Sequence, residues 1–307
     1  MKIYAVFGNP ILHSKSPQLF NSVFIQLQTD AFYTRIRPQS AKDIVDIVRK
    51  LPLAGANITA PFKEDALPLL DELSVDAKEI GAVNTVVNSN GRLIGHNTDH
   101  FGVTESLRNV GVNLLGSKCL VLGGGGAARA AVYGLARSGA EVFICNRTFS
   151  KAQAIASDFS CKLLDWNNFH NSFHFEVVVS TLLPEVLPPF MQTLKFRYLL
   201  DASYKPSVVS KKATEMNVEV IEGKWWLIYQ AIGAYELFFG IIPNAEVMGK
   251  AFAQNLEQGK LHVSEFPTKD YGGVSFNNVD LIISTKNIDA IALKKIVDEE
   301  IGKAFGS

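Results

Sequence analysis

The sequence predicts an α/β fold in two domains, one of them built on a doubly wound parallel sheet. Three observations carry this. Residues 119–148, CLVLGGGGAARAAVYGLARSGAEVFICNRT, read as a strand, a glycine turn, an alanine-rich helix and a second strand. Short apolar runs then alternate with helical segments, the pattern of parallel strands joined by crossover helices. The length, 307 residues, is enough for two separate cores.

The βαβ unit comes first because it carries chemistry. Gly123, Gly125 and Ala128 fit G-x-G-x-x-A where the strand 119–122 feeds the helix. There the backbone turns tightly, a pyrophosphate can approach it, and the helix N-terminus offers N–H groups and partial positive charge. Gly126 and Ala127 lie in the same turn. At the end of the second strand an NAD site would place Asp or Glu against the ribose hydroxyl. This chain has Asn146, Arg147 and Thr148, with Lys151 after them. A carboxylate would repel a 2′-phosphate, whereas a guanidinium grips one with two hydrogen bonds, so NADP is the expected cofactor. The competing explanation is a solvated Arg–Lys pair at a helix start, capped by Thr148 or Ser150.

Composition narrows the partners. Thirty basic and thirty acidic residues balance, and no Lys/Arg run stands out, which argues against nucleic acid or an anionic membrane. No apolar stretch reaches the length of a membrane span, and the chain starts on a strand-like run, residues 3–7, without a charged leader. A cytoplasmic protein is expected. The three cysteines, Cys119, Cys145 and Cys161, lack metal or redox spacing and read as core residues. The six histidines form no ligand set; His170 and His174 could share a helix face, but nothing supports them, so no metal is expected.

The elements follow in order. After the strand 3–7, Gly8-Asn9-Pro10 breaks the chain and Ser16-Pro17 opens a helix carrying Leu19, Val23 and Leu27. Ser16 reads as the N-cap and Pro17 as the first helical residue. Two hydroxyls, Ser14 and Ser16, at a helix N-terminus also suit a carboxylate. Residues 32–36 form a strand and 41–50 a helix with Ile44, Ile47 and Val48 inward. A strand over 55–59 runs into Pro61, again read as a first helical residue. Lys63 then falls in a first helical turn, where a cation sits badly against the dipole and a neutral amine is favoured. An ordinary surface lysine is the alternative. Ser74 caps a short helix to Ile80, and 82–88 pairs with 92–96 through Asn90-Gly91, a type I′ turn signal. Asp99 opens a helix that Gly111 ends, as an N-cap or first-turn acid. Strands over 161–164, 177–180, 198–202 and 219–221 complete the parallel sheet. Helices over 224–239 and 245–258 follow, and the tail adds strands at 273–276 and 279–284 and a helix at 289–305.

Taken together, the motifs resemble the shikimate dehydrogenase family over roughly residues 1–258. G-N-P-I-x-H-S-x-S-P at 8–17, N-I-T-x-P-x-K at 57–63, G-A-V-N-T-V at 81–86 and N-T-D-x-x-G at 97–102 carry it. G-x-G-G-A-A-R at 123–129, N-R-T at 146–148, Y-x-P at 204–206 and Gln230-Ala231 after Gly223 follow in order. The resemblance implies NADP-dependent, reversible reduction of 3-dehydroshikimate to shikimate, on the way to aromatic amino acids. It implies that Ser14 and Ser16 hold the substrate carboxylate and that Lys63 and Asp99 are the catalytic pair. Asn57, Thr59, Asn84, Tyr204 and Gln230 become further substrate contacts, and Gly223 joins the cofactor loop and the 146–151 segment. The implied domains are a substrate domain over 1–101, completed by helices at about 230–258, and an NADP domain over 102–229. Residues 259–307 have no counterpart in the family pattern; they read either as a decoration packed on the domain or as a contact with another subunit, as in a homodimer, or with a partner.

Two departures mark the chain. Where the family has N-A-T-x-x-G-M, this sequence has Ser180-Thr181-Leu182-Leu183-Pro184-Glu185, and Trp226 replaces a usual methionine beside the nicotinamide. Two other readings stay in view: a quinate/shikimate dehydrogenase using NAD, and a sensor that binds a shikimate-like metabolite without turning it over. Arg147 argues against the first, and the intact Lys63 and Asp99 against the second.

Overall fold

The structure, a computed structural model, describes residues 2–11, 13–51, 53–169 and 173–253 and the strand segments 259–260, 273–276 and 279–282. Contacts divide the chain into Met1–Asn97 with the residues from Ala234 on, and Thr98–Gly233.

In the first unit, β1 (Lys2–Phe7), α1 (Ser16–Gln26), β2 (Ala31–Ile36), α2 (Ala41–Lys50) and β3 (Leu53–Ile58) alternate. β4 (Glu72–Leu73), α3 (Val75–Ile80) and the hairpin β5 (Thr85–Ser89)–β6 (Arg92–His96) follow. Strand order is β2-β1-β3-β5-β6-β4. β1 runs parallel to β2 and β3, whereas β5 is antiparallel to both β3 and β6. The hairpin turns at Asn90 and Gly91, both with positive φ, as the type I′ signal requires. α2 has the predicted bounds because Ser40 and Asp43 form a capping box, each side chain receiving the other's backbone N–H. Ser74 accepts the Ala77 N–H and Gly81 ends α3 in the left-handed region.

The second unit holds α4 (Asp99–Asn109), β7 (Lys118–Leu122), α5 (Gly126–Arg137), β8 (Glu141–Cys145), α6 (Phe149–Phe159) and β9 (Lys162–Leu164). β10 (His174–Ser180), β11 (Lys195–Asp201), α7 (Val208–Glu215) and β12 (Glu219–Ile221) complete it. All six strands are parallel, in the order β12-β11-β10-β7-β8-β9. That is the doubly wound dinucleotide order, with its reversal between β7 and β10. Apolar residues cover both faces, as such a sheet demands. Cys119 and Cys145 lie in its buried strands, and burial pushes both thiols up to about 12.

α8 (Gly223–Phe239) begins in the second unit and ends in the first, followed by α9 (Ala245–Ala253). Its last turns enter an aromatic cluster of the first unit, with Tyr4 4.8 Å from Phe238 and Phe20 stacked on Tyr33 at 4.2 Å between ring centroids. In the tail, β14 (Gly273–Phe276) pairs antiparallel with β15 (Val279–Ile282), and β13 (Gly259–Lys260) lies parallel to β15. The remainder of the expected helix at 245–258 and the helix at 289–305 lie outside the described residues.

Three expectations need correction. Ser16 is not the N-cap of α1: Lys15 occupies that position, and Ser14 Oγ accepts the Ser16 N–H at 3.3 Å. Pro61 starts no α-helix. The Val83 N–H donates to the Lys63 carbonyl at 2.8 Å, so that carbonyl is used outside any helical ladder, and the chain turns through 60–66 into a 3-10 turn, Leu67–Leu69. The helix-dipole argument for Lys63 therefore falls away. His174 begins β10 and shares no helix face, and His170 lies outside the described residues. Trp226 is buried in the core of the second unit, where its ring covers Gly102.

Candidate active site

Sheet register explains why motifs far apart in sequence share one place. In the first unit β1 and β3 are neighbours, Val6 opposite Asn57 and Phe7 opposite Ile58, while Asn57 faces Thr85 on β5. The loops leaving β1 and β3 therefore emerge side by side. The Asn9 N–H donates to the Ala60 carbonyl at 3.1 Å, and a Cβ on Gly8 would overlap the Thr59 methyl. Glycine at 8 is the condition for that approach.

Ser14, Ser16, Asn57 and Asn84 are all buried there, although none has an apolar reason to be. Ser14 Oγ donates to Ser16 Oγ at 3.3 Å. Behind them the buried Arg35 donates through Nε and Nη2 to the Ser14 carbonyl at 2.9 and 2.6 Å, fixing the backbone that presents both hydroxyls. Lys63 is half-buried, and its backbone is tied to the 81–86 segment by the Val83 bond. Asn97 Nδ2 donates to the Ala82 carbonyl at 2.9 Å, anchoring the same segment.

In the second unit Asp99 is the first residue of α4, buried, in the first turn where a carboxylate is favoured. α8 approaches that turn closely because two glycines permit it. A Cβ on Gly102 would sit 2.6 Å from the Trp226 ring and 3.1 Å from Gln230 Cβ, and one on Gly233 would sit 3.3 Å from Thr98 Cβ. Gln230, buried with its Nε2 donating to the Leu227 carbonyl at 2.8 Å, thus stands beside the helix that carries Asp99. Tyr204 is half-buried in the loop after β11. Asp201 pins that loop: its carboxylate accepts the Ser203 N–H at 3.1 Å and the Ser207 hydroxyl. Burial raises the Asp201 carboxyl above its ordinary range, against the lowering effect of those two bonds.

The glycine turn has the shape a pyrophosphate needs. Gly123 has φ of 132°, and a Cβ there would overlap Thr181 Oγ1, which itself donates to the Leu122 carbonyl. Over Gly125, by contrast, space is open, and no side chain caps this end of α5 among the described residues. The Asn146 amide lies 2.8 Å from where a Gly124 Cβ would be, bringing the end of β8 against the turn. Arg147, Thr148 and Lys151 are exposed beside it, and no carboxylate stands in this segment. Thr148 is the N-cap of α6 by position, without a side-chain bond. Gly223 has a packing reason of its own, since a Cβ would overlap the Asp201 carbonyl. No group of three or more acidic, His or Cys side chains suited to a metal exists among the described residues.

Two family models match the chain. Residues 6–86 match the shikimate dehydrogenase substrate binding domain and 105–184 match shikimate/quinate 5-dehydrogenase. A shikimate dehydrogenase (NADP(+)) of Pyrococcus abyssi is 34% identical over 267 residues, covering 84% of this chain and 100% of the relative. The chain belongs to the shikimate dehydrogenase family. A second member, from Carboxydothermus hydrogenoformans, is 35% identical over 81% of this chain and 96% of its own length. Among solved structures, the shikimate 5-dehydrogenase of Thermus thermophilus in complex with NADP(H) and shikimate aligns with a TM-score of 0.75 at 31% identity, over 82% of this chain and 98% of that one. The Listeria monocytogenes enzyme with shikimate and NAD aligns at 0.72 and 27%, over 81% and 96%.

Sequence reading missed three side chains that hold candidate residues or their loops: Tyr33 and Arg35 in the first unit and Asp201 in the second. The first two had a signal. β2 alternates Phe32 and Ile36 into the core with Tyr33 and Arg35 on the other face, and an arginine buried in a strand needs a fixed partner.

Proposed function

We propose that the protein catalyses the NADP-dependent, reversible reduction of 3-dehydroshikimate to shikimate, a step towards the aromatic amino acids. One observation supports this most: the family membership comes with a sequence that keeps Lys63 and Asp99 within their motifs, N-I-T-x-P-x-K and N-T-D-x-x-G. A ring with one carboxylate and several hydroxyls needs converging donors and acceptors. Ser14 and Ser16 hold the carboxylate in this reading, and Asn57, Thr59, Asn84, Tyr204 and Gln230 meet the ring.

The residues at the glycine turn fit NADP: open space over Gly125, the uncapped start of α5, and Arg147 with Lys151 for the 2′-phosphate. Gly123, Gly126, Ala127, Asn146 and Thr148 complete that cradle, and Gly223 shapes the loop beyond it. Held there, NADP(H) would supply the hydride chemistry at the ring carbon. Lys63 then serves as the acid that protonates the carbonyl oxygen, and as the base in the reverse direction. Asp99 accepts a hydrogen bond from a ring hydroxyl and so fixes the ring's orientation. A cytoplasmic location and a homodimer belong to the same reading; light scattering on the purified chain tests the dimer.

The experiment offers purified protein shikimate or quinate, each with NADP or NAD, and follows the absorbance of reduced nicotinamide. The expected result is turnover of shikimate with NADP above every other pair. Turnover of quinate with NAD above that pair would replace this reading with the NAD-linked one, and no turnover with any pair would exclude both.

A further inference from the structure

Behind the substrate residues of the first unit runs a one-way chain of hydrogen bonds whose direction can be deduced. Asn57 Nδ2 lies 3.1 Å from the Asn84 carbonyl oxygen. A carbonyl only accepts, so the amide nitrogen must face it and the amide oxygen must face the other way. That oxygen is 2.6 Å from the Tyr33 hydroxyl, which must therefore donate. The second hydrogen on Asn57 Nδ2 goes to Thr85 Oγ1 at 2.9 Å. Thr85 has received one hydrogen there and passes its own to Asn84 Oδ1, 2.9 Å away. Tyr33 donates to Asn57, Asn57 to Thr85, and Thr85 to Asn84. All four residues are buried, where such chains reinforce one another and a broken link is costly.

This has a consequence for recognition. Both hydrogens of the Asn57 amide are used inside the protein, and Tyr33 takes one side of its oxygen. What Asn57 offers a ligand is an acceptor alone. A hydroxyl suits it, and a carboxylate or carbonyl oxygen would meet it with like charge. At the far end, the Thr85 bond holds the Asn84 amide by its oxygen.

We infer that Tyr33 is a positioning residue that sets substrate specificity: its phenol locks Asn57 as an acceptor for a ring hydroxyl and, through Thr85, orients Asn84. The inference rests on the proposed function and names a determinant within that same site. Burial supports it by holding the Tyr33 phenol well above its ordinary range, against the nearby Arg35 charge, so the donor stays protonated at any working pH. Stacking on Phe20 at 4.2 Å fixes the ring, and a phenylalanine at 33 would keep that stacking while losing only the hydroxyl.

The test compares wild type with Tyr33→Phe, Thr85→Val and Thr85→Ser by steady-state kinetics, with thermal melting to confirm folding. Loss of one link should raise KM for shikimate about three- to tenfold in Tyr33→Phe and Thr85→Val. KM for NADP should stay at the wild-type value, and Thr85→Ser, which keeps the hydroxyl, should restore wild-type behaviour. Binding of monodeoxy shikimates adds a sharper readout. For the analogue lacking the hydroxyl that meets Asn57, wild type and Tyr33→Phe should bind alike. An unchanged KM for shikimate in the folded Tyr33→Phe protein overturns the inference while leaving the function intact. So does an equal rise in both KM values, which marks a general loss of structure. Wild-type protein that neither turns over nor binds shikimate removes the function and this inference with it.

Discussion

The two binding halves recognise their ligands by different physical means. In the proposed site of the first unit the groups offered are side chains, Ser14, Ser16, Asn57, Thr59 and Asn84, backed by the hydrogen bonds of Tyr33, Arg35 and Thr85. In the second unit the pyrophosphate cradle is backbone: Gly123 at positive φ, open space over Gly125, and the bare N-terminus of α5. Backbone N–H groups point where the turn points them, so a cradle needs glycine and little else. A polyhydroxylated ring has to be read group by group, and that requires donors and acceptors whose direction is held. The first arrangement concentrates specificity in buried networks, the second in a short local motif with the exposed cations Arg147 and Lys151 at its rim.

Substitutions should separate the two. Lys63→Ala removes the acid–base group, and kcat should fall on the order of 10²–10⁴-fold. KM for shikimate should change far less, because the Ser14 and Ser16 grip survives. Steady-state kinetics with circular dichroism checks this, and a raised KM with near wild-type kcat would make Lys63 a binding residue instead. Asp99→Asn keeps shape and hydrogen bonding but removes charge, so it should lower kcat in a protein of normal fold.

Arg147→Ala comes next in size. Loss of a charge-assisted contact worth about 1.5–3 kcal/mol corresponds to roughly ten- to a hundredfold. Affinity for NADP should fall by that factor while affinity for NAD is little altered, as read by titration of each cofactor. Equal losses would show that Arg147 does not read the 2′-phosphate.

Truncation after Lys260 should have the smallest effect. It deletes β14 and β15, and no proposed site residue lies beyond that point. Turnover should be retained, and its loss in a chain that still melts cooperatively would mean that the tail contributes to the site.

The difference between the halves also decided what the sequence could disclose. The βαβ unit was legible because its signals are local: a glycine turn between two strands, with Asn146-Arg147-Thr148 at the end of the second. Elements with local punctuation were equally clear, such as α2 with its Ser40–Asp43 box and the hairpin at Asn90-Gly91. The failures occurred where a local signal was overruled from a distance. Pro61 suits the start of a helix, but the Val83 N–H claims the Lys63 carbonyl, and no pattern near residue 61 announces it. Ser16 looked like a cap next to Pro17, yet Ser14 receives its N–H once Arg35 holds the Ser14 carbonyl. Tyr33 and Asp201 passed as ordinary strand residues because their partners, Asn57 and Ser207, are identified only when strands and loops are assembled.

The most direct measurement of the contrast pairs one residue from each half. KM for shikimate and for NADP would be determined for Tyr33→Phe, Arg147→Ala and the double variant. The account predicts that Tyr33→Phe raises only the shikimate value, that Arg147→Ala raises only the NADP value, and that the double variant shows both changes unaltered. The two side chains share no partner, so their effects should add. A Tyr33→Phe protein that weakens NADP, or a double variant whose losses differ from the two single losses combined, would contradict it.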